Sequence, residues 1–377
     1  MKRSFIFSSN SIRLSWVSWL IVTAVVAGII YFLPVLWPKF EHFNPQTDYR
    51  LPYELSNDYW VFKRWSRYAC SEYPVVVIGD SVIWGQYVAM DETLSHYLNE
   101  QAGREIFANL GVDGTHPAAI LGLLKYYGRA ISNKAVVLHL NPLWMSSKKH
   151  DLSGEEEFRF NHPDLVPQFI SKPDCYRPSF SRRVSVVLER SVPFFNWTSH
   201  IKALYFENMD LQNWTLENPY RNPLKAITLE LPQPENKPES NPVVWSERGM
   251  KKQDFPWVQV EESFQWASFK EAIKILKSRN NDVFVTLGPF NPYILTEESL
   301  VRYNHMKGQM EAWLEKEGID YKSLPDLPSD YYADASHPLK EGYARIAEQL
   351  FETESFMKRV RDISSELEER QLCFLSF

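Results

Sequence analysis

Two short clusters, far apart in the chain, hold residue types suited to nucleophilic catalysis by a serine. The first is Gly79-Asp80-Ser81, placed directly after the apolar, β-branched run 75–78. A serine at the carboxyl end of a parallel strand sits where open α/β sheets bind ligands. If a helical turn follows, its backbone N–H groups and dipole favour negative charge developing there. The second is Asp334-Ala335-Ser336-His337, followed by Pro338 and by Gly342-Tyr343 ahead of an apolar stretch. An aspartate three residues before a histidine can fold its carboxylate onto the imidazole. That contact fixes the tautomer and stabilises the imidazolium formed when histidine takes a serine proton. Taken singly, each cluster is also what an ordinary loop or a surface helix start would show.

The elements around the clusters follow a βαβ rhythm. Short buried-type strands are predicted at YPVVVIGDS, EIFANLG, AVVLHLN and DVFVTLGPF, with a shorter one at IDYKSL. Helices are predicted between them: through TLSHYLNEQA, opened by Asp91 or Glu92 and closed by Gly103; through AAILGLLKYYGRAI; through ESFQWASFKEAIKILKSR; from about 297 to 316; and at about 339–351. This alternation implies a parallel α/β sheet. It is interrupted by an insertion at about 142–258, rich in Pro, Asn, Trp and Arg, with short helical pieces near 183–190 and 199–207. The α/β domain is therefore placed at 71–352, followed by a charged, solvated helical tail at 353–377.

Residues 14–37, LSWVSWLIVTAVVAGIIYFLPVLW, contain no charge. About 20 apolar residues span a hydrocarbon core of ~30 Å. Trp16, Trp19, Tyr31 and Trp37 lie towards the ends of the run, as interfacial aromatics do. Lys2, Arg3 and Arg13 precede it, so the positive-inside rule places residues 1–13 in the cytoplasm and the body in the periplasm or outside the cell. A cleaved signal peptide is the competing reading. The run is long for that, and 32–38 offers no small-x-small cleavage site. Residues 38–70, with Pro38, Pro45 and Pro52, read as a stalk. The net charge of −6 argues against nucleic-acid binding. No cysteine–histidine cluster or glycine-rich phosphate loop points to a metal or cofactor. Cys70, Cys175 and Cys373 are too scattered for a disulfide framework, and whether Cys70 pairs with Cys175 is left open.

In their order and placement, these features resemble the SGNH (GDSL-like) hydrolases. Gly79-Asp80-Ser81 matches that family's first block, and Asp334, His337, Pro338, Gly342 and Tyr343 match its last. Asn109-Leu110-Gly111 fits the second block, a glycine after the second strand, and Asn141 fits the asparagine of the third. The third block departs from the usual G-x-N-D, reading His139-Leu140-Asn141-Pro142, and Val82 stands where leucine is usual. The resemblance covers about 75–141 and 283–352.

The resemblance implies a three-layer, doubly wound parallel sheet of SGNH or flavodoxin-like type. It implies Ser81, Asp334 and His337 as catalytic triad, with the Ser81 N–H, the Gly111 N–H and the Asn141 side chain as oxyanion hole. It implies an acyl-serine intermediate and no metal or organic cofactor. Trp84, Tyr87 and His116 are candidates for substrate contact, against packing for the first two and a structural loop role, the favoured reading, for His116. An anchor, an outward body and a large insertion also resemble the membrane-anchored proteins of envelope-polymer acylation, of the D-alanyl transfer and alginate O-acetylation types. That layout implies an O-acylated glycan or acyl donor as partner, and a multi-pass membrane acyltransferase beside it. Esterase and O-acyltransferase remain open alternatives, as does a non-catalytic envelope scaffold that keeps the fold.

Overall fold

The computed structural model describes residues 15–375, with side chains described through 369. Lys2, Arg3, Arg13 and Leu14, on which the membrane orientation rests, lie outside the described residues, as does the side chain of Cys373. The chain divides into two compact units. One comprises the segment through Asn44 with Ser191–Leu231; the other comprises Pro45–Arg190 and the chain from Pro232 onward.

The larger unit is an α/β structure around a five-stranded, all-parallel sheet in the order β2-β1-β3-β4-β5. The strands are β1 (Val75–Ile78), β2 (Phe107–Asn109), β3 (Ala135–Leu140), β4 (Asp282–Leu287) and β5 (Tyr321–Ser323). Their apolar, β-branched composition fits burial on both faces; β1 is buried at all four positions and β3 at all but its first. Register is continuous across the centre, with Val75 opposite both Phe107 and Ala135, and Ala135 opposite Asp282. All five predicted strands are present, each trimmed by a residue or more where the chain leaves the ladder.

The first helix, α1 (Trp16–Phe40), belongs to the smaller unit and is long and apolar enough to cross a membrane, consistent with single-pass anchoring. Helix α2 (Tyr59–Glu72) lies within the segment read from sequence as a stalk, and here the structure corrects that reading. Trp60, Val61, Phe62 and Trp65 are buried, and the Trp65 Nε1 donates to the Asn109 carbonyl at 2.7 Å, so α2 is a structural layer against the sheet. Its polar positions masked an amphipathic period that only the sheet makes apparent.

After β1 comes the single turn α3 (Ser81–Trp84), then α4 (Leu94–Ala102) and α5 (Pro117–Gly122). α4 is capped by the Thr93 side chain, not by Asp91 or Glu92, because only Thr93 reaches the His96 N–H. It ends at Gly103, whose φ of +66° suits a residue without a Cβ. The insertion carries α6 (Phe180–Ser191), α7 (Pro193–Tyr205), α8 (Leu211–Glu217) and α9 (Pro223–Ala226). The α/β alternation resumes with α10 (Phe264–Ser278), α11 (Glu297–Lys316) and α12 (Lys340–Phe351), and α13 (Glu354–Leu375) follows. The first half of α13 is not solvated as predicted: Phe356 and Val360 join the core cluster under the sheet. Its Arg359 also bridges Asp282 and Asp320 at 2.6 Å each. Cys70 and Cys175 are free thiols, so the pairing left open by the sequence does not form.

Candidate active site

At the carboxyl ends of β1 and β3 the chain turns sharply. Gly79 is held between two packed elements: a Cβ there would fall 2.3 Å from the Ile83 side chain and 2.9 Å from the Cβ of His139. The Asp80 side chain then starts α3 by accepting the Val82 N–H at 3.0 Å, which sets Ser81 at the first position of the turn. From the other half of the fold, Asp334 Oδ1 accepts the N–H groups of Ser336 (2.9 Å) and His337 (3.0 Å), closing the D-x-x-H segment on itself. Asn291, after β4, braces that loop from behind: its side chain donates to the Asp334 carbonyl at 3.0 Å and its N–H donates to Ala335 at 2.8 Å. Tyr343 on α12 donates to the Val82 carbonyl at 2.5 Å, tying the last helix to the serine turn.

Residues 256 positions apart in the chain thereby meet. The His337 Nε2 lies 2.8 Å from the Ser81 Oγ, and its Nδ1 lies 2.8 and 2.9 Å from the two Asp334 oxygens. The tautomer with the proton on Nδ1 satisfies both contacts, leaving Nε2 to accept from the hydroxyl. Burial raises the proton affinity of the Asp334 carboxyl, but His337 and the three N–H donors outweigh it and hold the group below the usual carboxylate range. Burial alone would lower the imidazole's proton affinity. The Asp334 charge and hydrogen bond, with Asp80 and Asp113 farther off, instead raise it. An acceptor that gains proton affinity from a buried carboxylate is suited to general-base work.

The expected oxyanion donors are close by, but two are engaged within the protein. The Gly111 N–H donates to Asn109 Oδ1 at 2.9 Å. The Asn141 Nδ2 donates to Asp80 Oδ2 at 2.8 Å and to Ser336 Oγ at the longer distance of 3.2 Å. Gly111 is confined by backbone: a Cβ would sit 2.4 Å from the Trp84 nitrogen, so β2 and α3 approach more closely than any other residue allows.

Asp80 is the hub that sequence reasoning missed. Its Oδ2 also accepts the Trp144 Nε1 at 2.8 Å, and His139 Nε2 stands 3.7 Å from its Oδ1. His139 is buried, and burial lowers its proton affinity despite Asp80, so a neutral ring packs beneath the serine turn. Trp144, just beyond the Asn-Pro of the third block, carries no sequence signal beyond being an aromatic in a loop.

Of the substrate-contact candidates, only Tyr87 is placed at the triad. Its ring centroid is 5.4 Å from that of His337, edge to face, and Arg248 lies over it at 4.6 Å. Burial and the Asp334 carboxylate push its hydroxyl up to about 12. Trp84 is a structural residue instead. It is buried, its Nε1 donates to the Leu51 carbonyl at 2.8 Å, and the buried Arg50 guanidinium stacks on its ring at 4.1 Å. His116 is structural too: it caps α5, contacts Gln265 and the Asn161 carbonyl at 3.2 Å, and burial drives its proton affinity down to about 3. Both were pulled inward because their rings fill space between layers that the sequence does not reveal as adjacent. The return of the insertion supplies a wall beside Tyr87, where Val244 packs with Ala333 and Leu339.

Among the described residues no group of three His, Cys, Asp or Glu side chains is placed to hold a metal ion. No protein-family model and no curated protein sequence matches the chain.

Proposed function

We propose that the chain is a membrane-anchored serine enzyme of SGNH type, acting on acyl esters through an acyl-Ser81 intermediate. Ser81, His337 and Asp334 are its triad. The 2.8 Å contact between His337 Nε2 and Ser81 Oγ, with Asp334 on the other ring nitrogen, carries this reading. The strand order β2-β1-β3-β4-β5 supports the doubly wound layout, since it matches the flavodoxin-like order with its switch point between β1 and β3.

In this mechanism His337 Nε2 takes the Ser81 proton as Oγ attacks the acyl carbonyl. The tetrahedral oxyanion collapses, the bond to the alcohol oxygen breaks, and His337 returns its proton to that leaving oxygen. His337 then deprotonates the acceptor, water or a glycan hydroxyl, whose oxygen attacks the acyl-serine; Ser81 leaves and is reprotonated. The Ser81 N–H and Asn141 Nδ2 are the oxyanion donors, with Asn141 exchanging its long contact to Ser336 for the developing charge. Ser81 and His337 are each 7% exposed, so the pair is largely shielded from solvent. We read α1 as an anchor with the N-terminus cytoplasmic and the body outside; envelope glycans and a multi-pass acyltransferase are then the proposed partners, since a tether raises effective concentration at the membrane.

The engaged Gly111 and Asn141 donors favour a second reading, a non-catalytic binding protein that retains the fold. The full chain in detergent, treated with a fluorophosphonate probe and with p-nitrophenyl acetate, separates the two. Labelling and acetate release that vanish in Ser81→Ala and His337→Ala support the enzyme. Wild-type protein that neither labels nor releases acetate supports the binding role. Added glycan acceptor then distinguishes transfer from hydrolysis.

A further inference from the structure

The smaller unit shows a feature that the triad does not explain. α1 comprises 25 residues and measures about 37 Å at 1.5 Å per residue, somewhat more than a hydrocarbon core of ~30 Å. Its last turns therefore emerge through the headgroup region, with Trp37 and Phe40 at that exit. α7 packs directly against α1 there. The Trp37 and Trp197 rings meet edge to face at 5.3 Å, and Phe194 lies 5.6 Å from Trp197.

Below these rings a buried carboxylate locks the junction. Glu41 Oε1 accepts the Trp37 Nε1 (2.9 Å), the Tyr205 hydroxyl (3.0 Å) and the His200 Nε2 (2.8 Å), with the Glu41 and His200 side chains fully shielded from solvent. Three donors on one shielded oxygen leave α7 little freedom to swing away from the end of α1. A main-chain contact, His42 N–H to the Leu229 carbonyl at 2.8 Å, fastens the far end of the same excursion.

This fastened unit buries a small cluster around Tyr205, Phe206 and Trp214 but leaves other bulky apolar side chains outside. Phe195 is 40% exposed, Leu211 53%, Leu216 70%, Leu224 79% and Tyr220 fully exposed. Only Trp214 of α8 is turned inward, onto Tyr205 and Phe206. Exposed bulky apolar groups at this density mark an interaction surface. A bilayer deep enough to cover α1 up to Trp37 brings lipid within one ring's width of α7.

We propose that residues 193–226 form a membrane-interface collar. In this collar Phe195, Leu211, Leu216, Tyr220 and Leu224 insert among lipid headgroups and upper acyl chains of the leaflet that α1 leaves. The inference rests on α1 spanning the membrane and does not depend on the chemistry at Ser81. The collar would fix how the smaller unit stands on the bilayer, where a simple tether would leave it free to tumble.

The test uses the full chain, with Cys70 and Cys373 replaced by alanine, reconstituted in vesicles of phosphatidylcholine and phosphatidylglycerol. Nitroxide labels go at Val25→Cys in α1 and singly at Leu216→Cys, Tyr220→Cys and Leu224→Cys. Oxygen and a water-soluble nickel chelate serve as the relaxing agents, and a free nitroxide marks the aqueous limit. The collar labels are expected at about 5–10 Å into the headgroup–acyl boundary, shallower than Val25. Collar labels at the aqueous limit while Val25 stays in lipid overturn the collar, spare the anchor, and turn attention to a protein partner for this face. If Val25 itself reads as aqueous, the anchor fails and the collar with it. Wild-type chain in vesicles carrying a photoactivatable lipid gives the same decision without substitutions. Cross-links within 193–226 support the collar, and cross-links confined to α1 overturn it.

Discussion

Replacing Asp334 with asparagine tests the proposed site more sharply than removing Ser81, its proposed nucleophile. Asp334 Oδ1 receives the backbone N–H groups of Ser336 and His337 at 2.9 and 3.0 Å, and Oδ2 lies 2.8 Å from His337 Nδ1. An asparagine can keep its oxygen on the two backbone donors, so the loop survives. Its amide N–H₂ then occupies the place of Oδ2 and faces Nδ1 at hydrogen-bonding distance. Two donors cannot share that contact, so the Nδ1 proton loses its Oδ2 partner and keeps only the 2.9 Å contact to Oδ1, already taken by two backbone N–H groups, which favours the tautomer with the proton on Nε2. Nε2 then meets the Ser81 hydroxyl as a donor and cannot take its proton. The loss expected from a reversed tautomer in a serine triad is about 10⁴-fold in kcat, or ~5.5 kcal/mol in the barrier. Asp334→Ala separates the charge from the tautomer. Without the carboxylate the raised proton affinity of His337 falls, so the acidic limb of kcat/KM moves to lower pH while the rate drops. Stopped assays of p-nitrophenyl acetate hydrolysis from pH 5 to 9, with thermal melts to verify folding, give both readouts. A folded Asp334→Asn protein within about tenfold of wild type would refute the proton-transfer role assigned here.

Three further outcomes follow from the same geometry. Gly111→Ala drives a Cβ to 2.4 Å from the Trp84 main-chain nitrogen, a clash no rotamer relieves; a loss of about 3 kcal/mol by denaturant titration is expected, and unchanged stability would show that α3 can move. Trp144→Phe removes a hydrogen bond to the buried Asp80 carboxylate and should cost about 1.5–3 kcal/mol in stability, with slower fluorophosphonate labelling because Asp80 starts the serine turn; unaltered stability and labelling would remove Asp80 as the hub. Burial, reinforced by Asp80 and Glu239, pushes the Asp113 carboxyl up to about 6, so the folded state holds that proton more tightly than the unfolded chain and stability falls as pH rises from about 4 through 6. Asp113→Asn should therefore match wild type in Tm near pH 4 and exceed it above pH 7, and a difference independent of pH would contradict the assignment.

Local chemistry made much of the scaffold legible. The strands at 75–78, 135–140 and 282–287 announce themselves because a strand buried on both faces must be apolar throughout, whatever its neighbours. The clusters at Gly79-Asp80-Ser81 and Asp334–His337 are readable because each is closed by its own short-range bonds: Asp80 to Val82, and Asp334 to Ser336 and His337. The uncharged run at 16–37 is likewise a property of the segment alone.

Long-range pairing decided the rest. That His337 reaches Ser81 at 2.8 Å depends on β1, β3 and β4 lying side by side, with the turn after β4 bracing the histidine loop. Trp144 on Asp80, Trp84 under Arg50 and His116 against Gln265 owe their roles to which layers face each other, and no spacing along the chain encodes that. The same holds for α2, whose buried Trp65 has a partner only once β2 has formed. Residue type and short-range spacing thus determined which groups can do chemistry and which segments are strands or a membrane-length helix. The folded sheet alone determined which of those groups meet, because contact across hundreds of residues is a property of the packed layers and not of any one segment.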